Sequence, residues 1–251
     1  MYYILQPFRV LWKVFFLSYF IISLTLLYPL FNYLFSDKKR FPKAFKLMRG
    51  WAFTLITVPG VWMQIERRAD LPKGPFIICP NHSSYLDIIT MYRVFKKYFV
   101  FMGKMELNSW PMFNIFFTKG MNISVDRGNS SQALKAIERA KTELKLGHSV
   151  VIFPEGTIPS NAPKMKSLKS GAFLLAIETG YPIVPVTFTT NWRRLQAGAA
   201  LRVKGGPGPS KVIIHAPLYP KDYAEKGAVQ MKQDTFEIIN KPLIELYGNN
   251  G

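Results

Sequence analysis

The sequence predicts an α/β domain with a mostly parallel central sheet flanked by helices, preceded by an N-terminal membrane-embedded helical hairpin. Two observations point to the domain. Beyond residue 66, short β-branched or aromatic runs alternate with stretches of helical periodicity, and Gly, Pro or Asn bounds each run. That alternation is the pattern of strands joined by crossover helices. The third observation, an uncharged apolar run near the N-terminus, points to the hairpin.

In chain order the strand candidates are Phe76 to Cys79, Tyr98 to Met102, Ile123 to Val125, Val150 to Phe153, Ile183 to Thr187 and Lys211 to His215. The helix candidates are Leu86 to Phe95, Ser130 to Leu146, Gly171 to Glu178 and Asp234 to Tyr247. Within Ser130 to Leu146, Ala133, Leu134, Ile137, Ala140 and Leu144 recur at helical spacing, and Ser130 or Ser131 suits a cap. Gly205-Gly206-Pro207-Gly208-Pro209 reads as a loop before the last strand.

The N-terminal run Val14 to Phe35 holds 22 residues without a formal charge, about the length that crosses a bilayer. It is too long for a cleaved signal peptide, and Tyr33-Leu34-Phe35-Ser36 lacks a small-residue cleavage pattern. A second apolar segment, Trp51 to Ile65, is short for a span and suits a shallow or re-entrant helix. Basic residues flank the first run on both sides: Arg9 and Lys13 before it, Lys38, Lys39, Arg40, Lys43, Lys46 and Arg49 after it. A full crossing keeps only one flank cytoplasmic, whereas a monotopic hairpin keeps both. Residues 1–65 are therefore read as the membrane anchor and 66–251 as the α/β catalytic domain. Both lie on the cytoplasmic face of a membrane, the inner membrane in a bacterium.

The charge agrees. Among 251 residues, 33 Lys and Arg against 15 Asp and Glu give a net +18, which calls for an anionic partner. Nucleic acid is the weaker choice for that partner because no zinc-finger spacing, basic-leucine heptad or aromatic RNA-binding motif occurs, so no nucleic acid is expected; an anionic phospholipid surface fits the apolar N-terminus. The single cysteine, Cys79, rules out an internal disulfide framework and reads as a small buried hydrophobe. No His/Asp/Glu set has metal-site spacing, and no glycine-rich nucleotide loop suggests a cofactor. His148 and His215 read as surface or turn histidines. Trp51, Trp62, Trp110 and Trp192 read as core or membrane-interface aromatics.

Two blocks carry chemistry. Asn81-His82-Ser83-Ser84-Tyr85-Leu86-Asp87 follows an apolar strand and opens a helix. Five residues apart, His82 and Asp87 share no face of a regular helix, but they meet if His82 precedes the helix and its ring folds back. A carboxylate on one ring nitrogen fixes the tautomer and leaves the other as a base for a hydroxyl. No Gly-x-Ser-x-Gly elbow surrounds Ser83 or Ser84, and serine is a common cap. The second block, Phe153-Pro154-Glu155-Gly156-Thr157, ends the run Val150-Val151-Ile152 at the sheet's carboxyl edge, where open α/β sheets bind ligands. There Glu155 is suited to a glycerol hydroxyl, and the Gly156 and Thr157 amides to a phosphate.

These blocks, with Gly103-Lys104, Val125-Asp126-Arg127 and Ile183-Val184-Pro185-Val186 between and after them, occur in an order that resembles the 1-acylglycerol-3-phosphate acyltransferase family of glycerolipid acyltransferases. The resemblance covers roughly residues 76 to 190. It implies acyl transfer from a thioester, acyl-CoA or acyl carrier protein, to the sn-2 hydroxyl of lysophosphatidic acid. The product is phosphatidic acid, a step of phospholipid biosynthesis that needs no cofactor beyond the thioester co-substrate. It further implies that His82 is the general base and Asp87 its support, that Lys104 and Arg127 meet the acceptor phosphate, and that Glu155, Gly156 and Thr157 belong to the acceptor-binding block.

One departure stands out. Many members follow Glu-Gly-Thr with Arg-Ser, but this chain has Ile158-Pro159-Ser160, leaving Lys164, Lys166 or Lys169 to supply the charge. The departure motivates a second reading, transfer to another lysolipid or an amino-acid lipid. Outside acyl transfer, the alternatives are a thioesterase or lysophospholipase, with water in place of the acceptor, and a non-catalytic membrane-surface protein.

Overall fold

The computed structural model describes residues 6–126, 128–198 and 204–248. The chain opens with two helices, α1 (Gln6–Leu34) and α2 (Phe41–Thr57), followed by β1 (Val61–Arg67) and β2 (Ile77–Pro80). Then come α3 (Leu86–Val94), β3 (Phe99–Lys104), α4 (Ile115–Thr118), β4 (Ile123–Val125), α5 (Ser130–Lys145) and β5 (Ser149–Ile152). It closes with α6 (Gly171–Thr179), β6 (Ile183–Phe188), α7 (Asn191–Arg194), β7 (Gly208–Ile214) and α8 (Gly227–Tyr247).

Seven strands form one sheet in the order β1-β7-β6-β2-β5-β3-β4. Strands β2 to β6 are mutually parallel, as the sequence predicts. β7 runs antiparallel to β6, and β1 pairs parallel with β7. The period-2 alternation of strand side chains divides the core between the two faces. Ile78, Phe99, Phe101, Val151, Val184 and Val186 pack on the α1–α2–α3 side. Ile77, Cys79, Val100, Val150, Ile152 and Ile183 pack on the α5–α6–α8 side. Cys79 is fully buried, and burial pushes its thiol well above the ordinary range, so it behaves as the small hydrophobe the sequence suggests.

Several elements differ from the sequence reading, each for a local reason. The apolar segment Trp51 to Ile65 is not one shallow helix. α2 ends at Thr57, the chain turns through Pro59-Gly60 with Gly60 at φ 76°, and Val61 begins β1. Apolar composition runs on across that turn, so a boundary at 65/66 falls inside a strand. α5 is capped by Asn129, whose side chain accepts from Gln132 N at 3.2 Å, and not by a serine. Leu134 faces solvent, while Ala136 joins Ala140 and Leu144 in the buried stripe. α8 starts seven residues before Asp234, because Met231 is buried against α6 and extends the helix backwards. His215 is not a surface residue: it is 3% exposed, its Nε2 meets Thr187 Oγ1 at 2.8 Å, and burial pushes its pKa down to about 4.

The two N-terminal helices share the core of the sheet's first face. Along α1, Trp12 Nε1 donates to Pro59 O, Phe16 packs on Ile56, Val61 and Leu86, and Ser23 Oγ accepts from Trp51 Nε1. Phe31 meets Phe116, and Leu34 and Phe35 are buried. These contacts recur along the helix from Trp12 to Phe35, so one stripe of α1 lies along the domain. The opposite stripe, including Leu11, Phe15, Ile22, Leu26 and Leu30, is exposed and apolar.

Candidate active site

The site forms where β2 and β5 end side by side at the sheet's carboxyl edge, because their paired registers bring residue 80 and residue 153 to one rim. The segment after β2 is pinned first. Asn81 is buried and bridges to β6, donating from Nδ2 to Phe188 O at 3.1 Å and accepting from Phe188 N at 2.7 Å. His82 then leaves the strand ahead of α3, as its meeting with Asp87 requires.

Ser84 and Asp87 form a reciprocal cap at the start of α3. Ser84 Oγ accepts from Leu86 N at 3.0 Å, and Asp87 Oδ2 accepts from Ser84 N at 2.8 Å and Ser83 N at 2.6 Å. The same Oδ2 lies 3.1 Å from His82 Nδ1. Asp87 is fully buried, and three donors converge on one of its oxygens. Its Oδ1 accepts from Asn191 Nδ2 at 2.8 Å and from Ser83 Oγ at 3.3 Å. Asn191 is held in turn by Ser210 Oγ at 2.6 Å. The helix start that orders the chain thus also fixes the carboxylate behind the imidazole. With Asp87 on Nδ1, the proton of neutral His82 resides there and Nε2 carries the basic lone pair. Nε2 takes no hydrogen bond among the described residues, and the ring stacks on Phe153 with centroids 4.1 Å apart. Ser83 and Ser84 are both buried, the hydroxyl of Ser83 on Asp87 Oδ1 and that of Ser84 on the start of α3.

Glu155 departs from its expected role. It is 4% exposed, and its oxygens accept from two main-chain donors, His82 N at 2.7 Å and Lys166 N at 2.8 Å. It therefore ties the histidine segment to the loop after residue 157 instead of presenting a carboxylate to a hydroxyl. Burial pushes its pKa up to about 7, against the two amides that favour the ionised form. The Gly156 amide is spent on Phe153 O at 3.0 Å, closing a turn with Pro154 at its second position and Gly156 at its fourth, where φ is 79°. It is not open to a phosphate. Thr157 is exposed at the rim, and Lys166 Nζ reaches its hydroxyl at 3.2 Å. Of the three lysines that follow, Lys166 alone makes such a side-chain contact among the described residues. Lys104 lies on the same carboxyl edge at the end of β3, exposed, with its ammonium 2.6 Å from Glu106. Arg127 lies outside the described residues.

Asn191 and the stacking role of Phe153 were not legible as parts of the site. Phe153 stands inside the Phe-Pro-Glu-Gly-Thr block, which offered a signal. Asn191 is 104 positions from Asp87, and no spacing connects them. Among the described residues no group of His, Cys, Asp and Glu is placed to hold a metal ion.

A buried carboxylate on one nitrogen of a histidine, whose other nitrogen takes no hydrogen bond among the described residues, is an arrangement suited to a general base. The acyltransferase family model matches residues 63–189, and the chain belongs to that family. A 1-acyl-sn-glycerol-3-phosphate acyltransferase of Cocos nucifera is 33% identical over 153 residues, 59% of this chain and 47% of the relative. A probable 1-acyl-sn-glycerol-3-phosphate acyltransferase of Mycoplasma genitalium is 25% identical over 223 residues, 85% and 81% of the two chains. The chain spans about half the length of the plant and algal relatives it matches. In fold it is similar to the crystal structure of PlsC, a 1-acyl-sn-glycerophosphate acyltransferase from Thermotoga maritima. The TM-score is 0.73, with 22% identity and 98% of each chain covered.

Proposed function

We propose that this protein transfers a fatty acyl group from an acyl thioester to the sn-2 hydroxyl of lysophosphatidic acid, giving phosphatidic acid. The observation that carries the reading is His82, with Asp87 on Nδ1 and Nε2 uncommitted at the sheet's carboxyl edge. Nε2 takes the hydroxyl proton as that oxygen attacks the thioester carbonyl. The carbon–sulfur bond then breaks, and the proton passes from Nε2 to the departing thiolate, so no acyl-enzyme forms. Asp87 stabilises the transient imidazolium. The relatives' names supply the acceptor, and the exposed Lys104, Thr157 and Lys166 at the rim are suited to its phosphate. Lys166 supplies the charge that Ile158 lacks. Either acyl-CoA or an acyl carrier protein serves as donor, and no further cofactor is needed.

The protein works from the cytoplasmic face of a membrane, held as a monotopic hairpin. α1 has a mean hydropathy of 2.0 over its most apolar stretch, yet one stripe of it packs along the domain from end to end. A helix crossing the bilayer upright would carry that packed domain into the hydrocarbon; lying in the surface, it exposes only its apolar stripe.

The test is transfer from labelled acyl-CoA, and in parallel from acyl carrier protein, to lysophosphatidic acid, glycerol 3-phosphate and other lysolipids. Labelled phosphatidic acid supports the proposal. Product from a different lysolipid alone replaces the acceptor, and acyl release that ignores the acceptor replaces transfer with hydrolysis.

A further inference from the structure

We infer that a cavity between the start of α1, the end of α7 and the loop before β7 binds the phosphate of an anionic membrane phospholipid, at a site separate from His82. The cavity measures about 470 Å³ and is lined by Arg9, Trp12, Arg193, Arg194, Lys204 and Pro207 among others. Four of these are cations, and no acidic side chain among the described residues lines it. Arg194 Nε is buried without a hydrogen-bond partner, while the other end of its guanidinium donates to Pro207 O. Burial, and then Arg193 beside them, lowers the pKa of both Arg194 and Lys204. Cations gathered where they repel one another, with a buried donor unmet, are a built receptor for an anion; a doubly acceptor-rich phosphate answers both.

The surroundings favour a lipid over a soluble phosphate. Phe8 lines the cavity and, with Leu11, stands 69% and 66% exposed on the same turns of α1 that carry Arg9 and Trp12. A phosphate seated among the cations would have its acyl chains beside that apolar surface. The site also touches the catalytic frame. α7 carries both Arg194 and Asn191, the partner of Asp87, and Leu195 O accepts from Ser84 Oγ. The inference rests on the membrane-facing reading of α1 and is independent of the acceptor.

The experiment is flotation of the full-length protein with vesicles of neutral phosphatidylcholine, and with vesicles containing added phosphatidic acid or phosphatidylglycerol. Arg193→Gln/Lys204→Gln is compared with wild type and with Lys135→Gln/Lys145→Gln, an equal charge change on α5 across the sheet. Both pairs are checked for unchanged melting temperature; should the first fail that check, Lys204→Gln alone takes its place. The expected result is a loss of about fivefold in anionic-vesicle affinity per cation removed from the cavity, with neutral-vesicle binding unchanged and the α5 pair within twofold of wild type. Equal losses for both pairs, or none, would overturn the site. Failure of wild type to bind neutral vesicles would instead overturn the membrane reading on which it rests. In a second arm, 3′-phosphoadenosine 5′-diphosphate is titrated into micellar protein. Binding by wild type that the cavity pair abolishes would reassign the site to a soluble phosphate.

Discussion

Asn191→Asp replaces an amide with a carboxylate of the same shape, 2.8 Å from Asp87 Oδ1 and fully buried. At an effective dielectric near 20, two unit charges at that 2.8 Å separation repel by about 6 kcal/mol. Protonating the introduced group costs less, about 4 kcal/mol at pH 7 from an ordinary carboxylate pKa of about 3.9. The folded variant therefore takes up a proton, and the new O–H donates to Asp87 where the amide did. Its folded pKa is raised above the unfolded value, so the variant matches wild type at low pH and loses stability as pH rises. The loss grows by about 1.4 kcal/mol per pH unit. With about 2–4 °C per kcal/mol for a chain of this size, the melting temperature should fall roughly 8–16 °C below wild type at pH 7 and only a few degrees at pH 5. Thermal unfolding of both proteins in the same detergent at the two pH values measures this. A difference that does not change with pH would refute the contact between Asn191 and Asp87.

Glu155, with its pKa raised to about 7, stabilises the fold below the usual carboxylate range and loses that contribution as pH rises toward 7. The change is about 3 kcal/mol by the size of the shift. Glu155→Gln should remove that slope while setting its NH2 against one of two amide donors, lowering turnover; a melting profile with the wild-type slope contradicts this. Lys166→Ala keeps the main-chain bond to Glu155 and removes the ammonium at the rim, so the acceptor KM should rise roughly fivefold with kcat nearly unchanged. Equal kinetics would take Lys166 out of the acceptor site. Leu26→Lys, at the most exposed apolar position of α1, should weaken vesicle binding by about 2–3 kcal/mol without changing the melting temperature. Undiminished flotation would show that this stripe does not face lipid.

The elements legible in the sequence were those whose periodicity is set by burial. β2 to β6 have paired neighbours and a face against each core, so their apolar runs are distinct. β1 is an edge strand, mostly exposed, with Gln64, Glu66 and Arg67 in its outer half, and its apolar start merges with α2 across Pro59-Gly60. In the site, His82 and Asp87 were readable because both belong to one six-residue segment at the start of α3. The function of Glu155 was not, since a carboxylate that clamps main-chain amides and one that binds a ligand look alike until its partners are placed. Likewise Asn191 meets Asp87 only because α7 and α3 pack side by side. Long-range polar contacts of this kind follow from topology and leave no local pattern.

The claim that His82 deprotonates an incoming hydroxyl is tested most directly by acyl transfer with His82→Ala beside wild type, both at saturating thioester and lysophosphatidic acid. The expected result is a fall in kcat of about 10²–10⁴-fold with the melting temperature and vesicle binding retained. A well-folded His82→Ala protein that transfers acyl groups within a few-fold of wild type would contradict it.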